Sequence, residues 1–212
     1  MSWISSSYFR GPAVAGLLWV VAAGAPLPAQ PAQAPAPAQA PAPAQTPVPT
    51  EAPSLAPYVP TPQDVVDRML ALAEVKQGDV VYDLGCGDGR IVITAAKQYG
   101  ASGVGVDIDP ERIRESQANA KAAGVEKLVS FKLQDAMTVD VSPATVVTLY
   151  LLSSSNAKLR PMLTKQLKPG ARIMSHAFSM GDWEPLETDT FQDSRGSMRT
   201  LYLWKADGVV RP

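Results

Sequence analysis

Four residues at alternate positions, Asp83, Gly85, Gly87 and Gly89, have the types and spacing of a binding turn. They lie in the stretch Val80-Val81-Tyr82-Asp83-Leu84-Gly85-Cys86-Gly87-Asp88-Gly89-Arg90-Ile91-Val92-Ile93. An acid ends a strand, glycines form the turn, and a helix follows. Glycine admits positive φ and lets a ligand approach the backbone closely. The helix start offers free N–H groups and the positive end of its dipole. Spacing then selects the ligand. A dinucleotide turn reads G-x-G-x-x-G, with the helix packed on the third glycine. Here an acid leads, and a carboxylate beside a pyrophosphate is repelled. Beside an ammonium or sulfonium group the same carboxylate is favourable. The plain alternative is an ordinary strand-to-helix glycine turn.

Further candidates stand at later strand ends. Asp107 follows Asp83 by 24 residues (107 − 83). In open α/β sheets ligands bind at strand carboxyl ends, where an acid takes both ribose hydroxyls; otherwise Asp107 is a solvated loop acid. Asp109 reads as the cap of a helix opened by Pro110 and Glu111. Asp135 follows a third strand and is a ligand contact or a plain turn residue. Tyr150 ends a fourth strand. His176, the single histidine, ends a fifth and is either a base near a substrate or a structural residue. The single cysteine, Cys86, lies in the glycine turn, so there is no intrachain disulfide framework; a small residue in a tight turn is the expected role.

The elements that must position these residues follow from periodicity. Thr61 is expected to cap a helix with Pro62 at its first position, and Val65, Val66, Met69, Leu70 and Ala73 give its apolar face up to Gly78. Val80 to Tyr82 begin a buried strand. Ile91, Val92, Ala95 and Ala96 face the core from the next helix, which Gly100 closes. A second strand spans 103–110, and its helix ends at Gly124 as a C′ glycine. Strands follow at Val129–Leu133, Ala144–Leu152 and Arg172–His176, with a helix from about Asn156 to Leu167. Two last β-like runs, Trp183–Phe191 and Met198–Trp204, form a terminal hairpin. Alternating strands and helices predict an α/β, doubly wound sheet.

At 212 residues the chain allows one domain with extensions. Lys+Arg 19 against Asp+Glu 20 gives a formal net charge of −1, which offers no electrostatic footprint for nucleic acid. Residues 1–29 read as a signal peptide. Arg10 precedes the apolar run Pro12–Ala25, and Leu27-Pro28-Ala29 forms the cleavage end. The run is short against the ~20 residues of a membrane span. An uncleaved membrane anchor is the alternative, which would bring the domain close to a membrane. No Lys or Arg follows until Arg68, so charge favours export of the rest, to the periplasm or beyond. An unused signal would leave the chain cytoplasmic. Residues 30–56 form a Pro/Ala/Gln-rich linker, a semi-rigid spacer with no core of its own. Residues 57–212 form the folded domain.

On these residues the chain resembles the class I S-adenosylmethionine (SAM) methyltransferases, whose first motif is D/E-x-G-x-G-x-G. It is similar to bacterial methyltransferase-domain proteins and to two groups of non-SET lysine methyltransferases. The family acting on the ATP synthase c-subunit shares Tyr58-Val59-Pro60 and the pattern from Asp83 to Val92. The histone-directed group has a Tyr-x-x-Thr stretch, matched by Tyr58 and Thr61, and an entry to the fifth strand matched by Gly170 to Ser175. The resemblance covers 57–205. It implies a Rossmann-like, mostly parallel seven-stranded sheet closed by an antiparallel hairpin. It implies SAM as cofactor, held by Tyr58, Thr61, Asp83, Gly85, Gly87, Gly89, Asp107, Ile108, Asp135 and Ala136. In it Tyr58 and Thr61 fold over the methionine end, and Asp135 accepts from the adenine amino group.

The same resemblance narrows the acceptor. The (N/D)-P-P-(Y/F) motif of enzymes methylating DNA bases or glutamine is replaced by Leu149-Tyr150-Leu151-Leu152. No acid pair follows the fourth strand as in metal-dependent catechol enzymes, so no metal is expected. A lysine nucleophile must lose a proton from a pKa near ~10.4, which an apolar mouth promotes. Leu149, Leu151, Phe178 and Trp183 are expected to line that mouth, with Tyr150 orienting the amine. The reading is a SAM-dependent methyltransferase acting on protein lysine, as a monomer with a protein substrate. A small-molecule methyltransferase is the alternative enzyme; the domain has almost no insertion to build a substrate lid. A non-catalytic exported SAM-binding or interaction protein is the other class, favoured by export because SAM is made in the cytoplasm.

Overall fold

The computed structural model describes residues 54–212; the expected signal segment and nearly all of the linker lie outside the described residues. Val80–Leu84 form β1, its side chains buried on both faces as a central parallel strand requires. Around it run α1 (Gln63–Leu72), α2 (Arg90–Tyr99), β2 (Ser102–Asp107), α3 (Pro110–Ala122) and β3 (Val129–Leu133). Then come β4 (Val146–Leu149), α4 (Ser153–Gln166), β5 (Arg172–His176), β6 (Glu187–Gln192) and β7 (Met198–Lys205). The strand order is β3-β2-β1-β4-β5-β7-β6. The first five strands are parallel, and β7 pairs antiparallel with both β5 and β6. The chain reverses direction across the sheet between β1 and β4, the switch point at which such sheets bind ligands.

Alternation along the strands splits the core into two apolar layers. Val81, Val146 and Met174 pack with Val66, Leu70, Val92 and Ala95 of α1 and α2. Tyr82, Leu84, Val147, Leu149 and Ile173 pack with Leu159 and Leu163 of α4. At the amino ends of the strands, Arg172 donates to the carbonyls of Ala73 (2.7 Å) and Glu74 (2.8 Å) and pairs with Asp79. That cluster ties the end of α1 to the start of β5.

Several boundaries differ from the periodic expectation. Pro62, not Thr61, is the N-cap of α1: its carbonyl accepts from Val66 N–H (3.0 Å), and no side chain caps the helix. α1 stops at Leu72, where Ala73 N–H turns back to Met69, well before Gly78. The expected strand Ala144–Leu152 is cut to Val146–Leu149 because Leu152 already caps α4. Its carbonyl accepts from Ser155 and Asn156 N–H, both at 2.9 Å. α4 therefore starts at Ser153. β2 ends at Asp107, and Asp109 caps α3 by accepting from Glu111 N–H (2.7 Å). Trp183 to Leu186 stay outside β6, with the Trp183 carbonyl accepting from Trp204 Nε1 (2.8 Å). The folded part also begins earlier than Pro57: Ser155 Oγ donates to the Leu55 carbonyl (2.6 Å), and Leu55 and Ala56 pack on the α4 layer.

Candidate functional site

The carboxyl ends of β1, β2 and β4 open into a cavity of about 280 Å³. The glycine turn after β1 forms one wall. Gly85 and Cys86 N–H both donate to the Val106 carbonyl (2.8 and 2.9 Å), which stitches the turn to β2. Gly87 has φ +53, and a Cβ there would lie 2.5 Å from the Tyr58 ring. Gly85 and Gly87 line the cavity. Gly89 does not. Its φ is +80, and a Cβ would meet Phe131 at 2.7 Å and Ser116 at 2.9 Å, so this glycine lets α2 pack close to β3 and α3. The N-cap Gly89 has no side chain, but Asp88 Oδ1 accepts from Arg90 N–H (3.3 Å), so a carboxylate already sits at the start of α2 beside the cavity.

Two acids stand where strand ends deliver them. Asp83 is 2 % exposed, accepts from Thr148 Oγ1 (2.8 Å) and reaches the cavity. Burial, with Asp107 and Asp88 nearby, pushes its carboxyl up to about 7 despite the Thr148 hydrogen bond. Asp107 accepts from Gly87 N–H (2.8 Å) and Asp109 N–H (3.0 Å). It holds the turn in shape and retains acceptor capacity for ligand hydroxyls. Ile108, Asp135 and Ala136 line the same cavity. Asp135 also caps a single 3₁₀ turn, accepting from Met137 N–H (2.8 Å). It is thus a turn residue that also stands in the cavity wall.

The stretch Ser54–Thr61 crosses the cavity and lines it throughout. Two arginines hold it. Arg90 donates to the Thr61 carbonyl (2.7 Å) while its Nε bonds Asp88 (2.9 Å). The Arg112 guanidinium lies 4.6 Å from the Tyr58 ring centroid, a cation–π contact. Asp88 and Arg90 fall within the shared Asp83 to Val92 pattern, which marks their positions but not their hold on the Thr61 carbonyl; Arg112 has no cue, because it meets Tyr58 only through tertiary packing.

The β4 end supplies Tyr150 and Leu151, both in the cavity wall. Leu149 of β4 is fully buried, Trp183 packs on Trp204 (6.0 Å) and under the Arg211 guanidinium (4.4 Å), and Phe178 stands 6.2 Å from Tyr150, so none of the three is in the cavity wall. His176 is also outside the cavity wall. It is fully buried, and neither ring nitrogen has a hydrogen-bond partner. Burial, with Arg199 nearby, lowers its pKa to about 4. Its ring stacks 4.0 Å from that of Tyr150. A buried, neutral imidazole behind Tyr150 and outside the cavity wall is poorly placed as a base. Among the described residues no group of three or more His, Cys, Asp or Glu side chains is set to hold a metal ion.

The site suits a ligand with a cationic centre and vicinal hydroxyls, with Asp83 placed for the first and Asp107 for the second. The family model for the ANTKMT methyltransferase domain matches residues 83–187. A protein-lysine N-methyltransferase of Saccharolobus islandicus (strain REY15A) is 51% identical over 150 residues, 70% of this chain and 92% of that protein. The ATP synthase c-subunit lysine N-methyltransferase of Mus musculus is 31% identical over 132 residues, 62% of this chain. The chain spans 53% of that mouse protein's length. A crystal structure of an RNA methyltransferase from Salinibacter ruber in complex with S-adenosyl-L-homocysteine is 53% identical. It has a TM-score of 0.68 and covers 72% of this chain and 97% of its own. Glycine turn, strand-end acids and relatives agree: the chain belongs to the class I SAM-dependent methyltransferases.

Proposed function

We propose that the chain is a protein-lysine N-methyltransferase. The observation that carries this reading is the charge of the cavity. Asp83, Asp88, Asp107, Asp109 and Asp135 line it, against Arg90 and Arg112. Both arginines are already engaged, Arg90 with Asp88 and Arg112 with Glu115. Such a site attracts a cationic acceptor and opposes a phosphate backbone, which requires free Lys or Arg. The names of the archaeal and mouse relatives support the same acceptor.

SAM, when bound, supplies a methyl group already activated on a sulfonium centre. The protein's part is to position and desolvate. Asp83 would hold the cationic end of the cofactor, and Asp107 would orient its hydroxyls. Tyr58, held by Arg112, covers the turn and excludes water. Leu151 and Tyr150 give the acceptor an apolar approach that lowers the pKa of a lysine amine from ~10.4. Tyr150 Oη, on a half-buried ring, is the polar group at that approach.

The test is transfer of labelled methyl from SAM to a cell extract, with acid hydrolysis of the products. Label recovered as methyllysine supports the reading. Label lost to ribonuclease would favour the activity named for the Salinibacter ruber structure. Label confined to small molecules would favour the alternative enzyme class.

A further inference from the structure

The segment after β5 is bent in an uncommon way. Phe178 N–H donates to the His176 carbonyl (2.9 Å), closing a three-residue turn over Ala177. Ala177 has φ +67, one of two positive-φ non-glycine residues among those described. A turn of this hand is strained for an L-residue and persists where neighbours impose it. The neighbours are identifiable. Asn156, fully buried on α4, donates to the Phe178 carbonyl (3.0 Å) and to Ser175 Oγ (3.1 Å). Ser175 Oγ donates to the same Phe178 carbonyl (2.6 Å). The bend brings the Phe178 ring within 6.2 Å of Tyr150, whose other neighbour is His176 at 4.0 Å.

We propose that Tyr150 and Phe178 form the acceptor subsite, an uncharged aromatic wall for an alkylammonium group and its methylated forms, backed by the buried ring of His176, and that Asn156 is its positioning residue. The inference rests on the lysine reading above and adds where the acceptor lies. Tyr150 lines the cavity and so joins the wall to the cofactor site. Aromatic faces attract ammonium and more lipophilic methylammonium groups. A charged floor would repel them, and His176 lies buried without a donor or acceptor to favour its charged form. The charged groups nearest it, Arg199 of β7 and Asp193 of the β6–β7 turn, are paired with each other at 2.7 Å. His176 therefore acts as a stacking floor under Tyr150.

The experiment uses the full chain saturated with S-adenosylhomocysteine, with choline as the probe and 3,3-dimethylbutanol as its neutral isostere. Tyrosine and phenylalanine ring signals are followed by NMR. Choline is expected to shift the Tyr150 and Phe178 rings and to bind about fivefold more tightly than the isostere. Tyr150→Leu and Phe178→Leu should each abolish that preference, and His176→Phe should keep it. Asn156→Ala should weaken choline binding, and Ala177→Gly in the same chain should restore it, because glycine adopts the bend without being forced. S-adenosylhomocysteine affinity, measured by calorimetry, should stay level in Phe178→Leu, His176→Phe, Asn156→Ala and Ala177→Gly, none of which alters a residue of the cavity wall. Equal binding of choline and its isostere, or choline binding untouched by both leucine variants, would overturn the proposal. A chain that passes this test yet yields no methyllysine from extract would sink the lysine reading alone. One that methylates lysine but fails this test would sink the subsite alone.

Discussion

Asp83 is predicted to couple cofactor binding to proton release. In the ligand-free site its carboxyl titrates at about 7. Against an ordinary value near ~3.9, that corresponds to about 4 kcal/mol disfavouring the ionised form. The folded chain thus holds this proton when the unfolded chain has lost it. The stability this confers is complete below pH ~4 and is lost as pH rises through about 7. A cationic ligand reverses the preference, because it binds the ionised carboxylate better. SAM affinity should therefore rise about 16-fold between pH ~5.5 and ~7.0, the change in the ionised fraction of one such group. Calorimetry in two buffers of different ionisation enthalpy counts the protons released, close to one at the acid end. Asp83→Asn should bind SAM more weakly and lose the pH dependence. Thr148→Val removes the hydrogen bond that favours the carboxylate and should move the transition to higher pH. A flat wild-type profile, or an equal slope in Asp83→Asn, would refute the role given to Asp83.

Four further outcomes are expected. Tyr58→Ala should raise the SAM dissociation constant about fivefold, from loss of the Arg112-stacked cover, while thermal stability changes little because the ring is 47% exposed. Gly89→Ala should cost about 2 kcal/mol of stability by overpacking against Phe131 and Ser116, with SAM affinity of the folded protein nearly level; denaturant titration and calorimetry separate the two. Arg172→Met should cost about 3 kcal/mol, since it leaves Asp79 buried without its cation, as urea unfolding would read. We also propose that the domain is exported: alkaline phosphatase fused after Pro57 should be active, and an inactive fusion would place the chain in the cytoplasm.

The local features of this protein were legible in the sequence. The acid-glycine turn, Asp107 at a strand end, the Asp109 cap and the limits of β3 and β5 depend on residues within a few positions of one another. Turn chemistry and side-chain periodicity report such relations directly. Boundaries failed where an apolar run continued past a tertiary event. Ala144–Leu152 reads as one strand, but the carbonyl of Leu152 caps α4 and ends it. The uses of the site residues were decided by the tertiary structure alone. Three glycines at equal spacing separate into two that face the cavity and one that faces Phe131. Asp83 becomes a near-neutral acid because the sheet buries it, and His176 is removed from acid–base work for the same reason. Arg112 reaches Tyr58 across 54 positions of sequence (112 − 58), and Asn156 bends the turn after β5 from a neighbouring helix. Burial and long-range contact set protonation and position, and neither quantity has a period in the sequence.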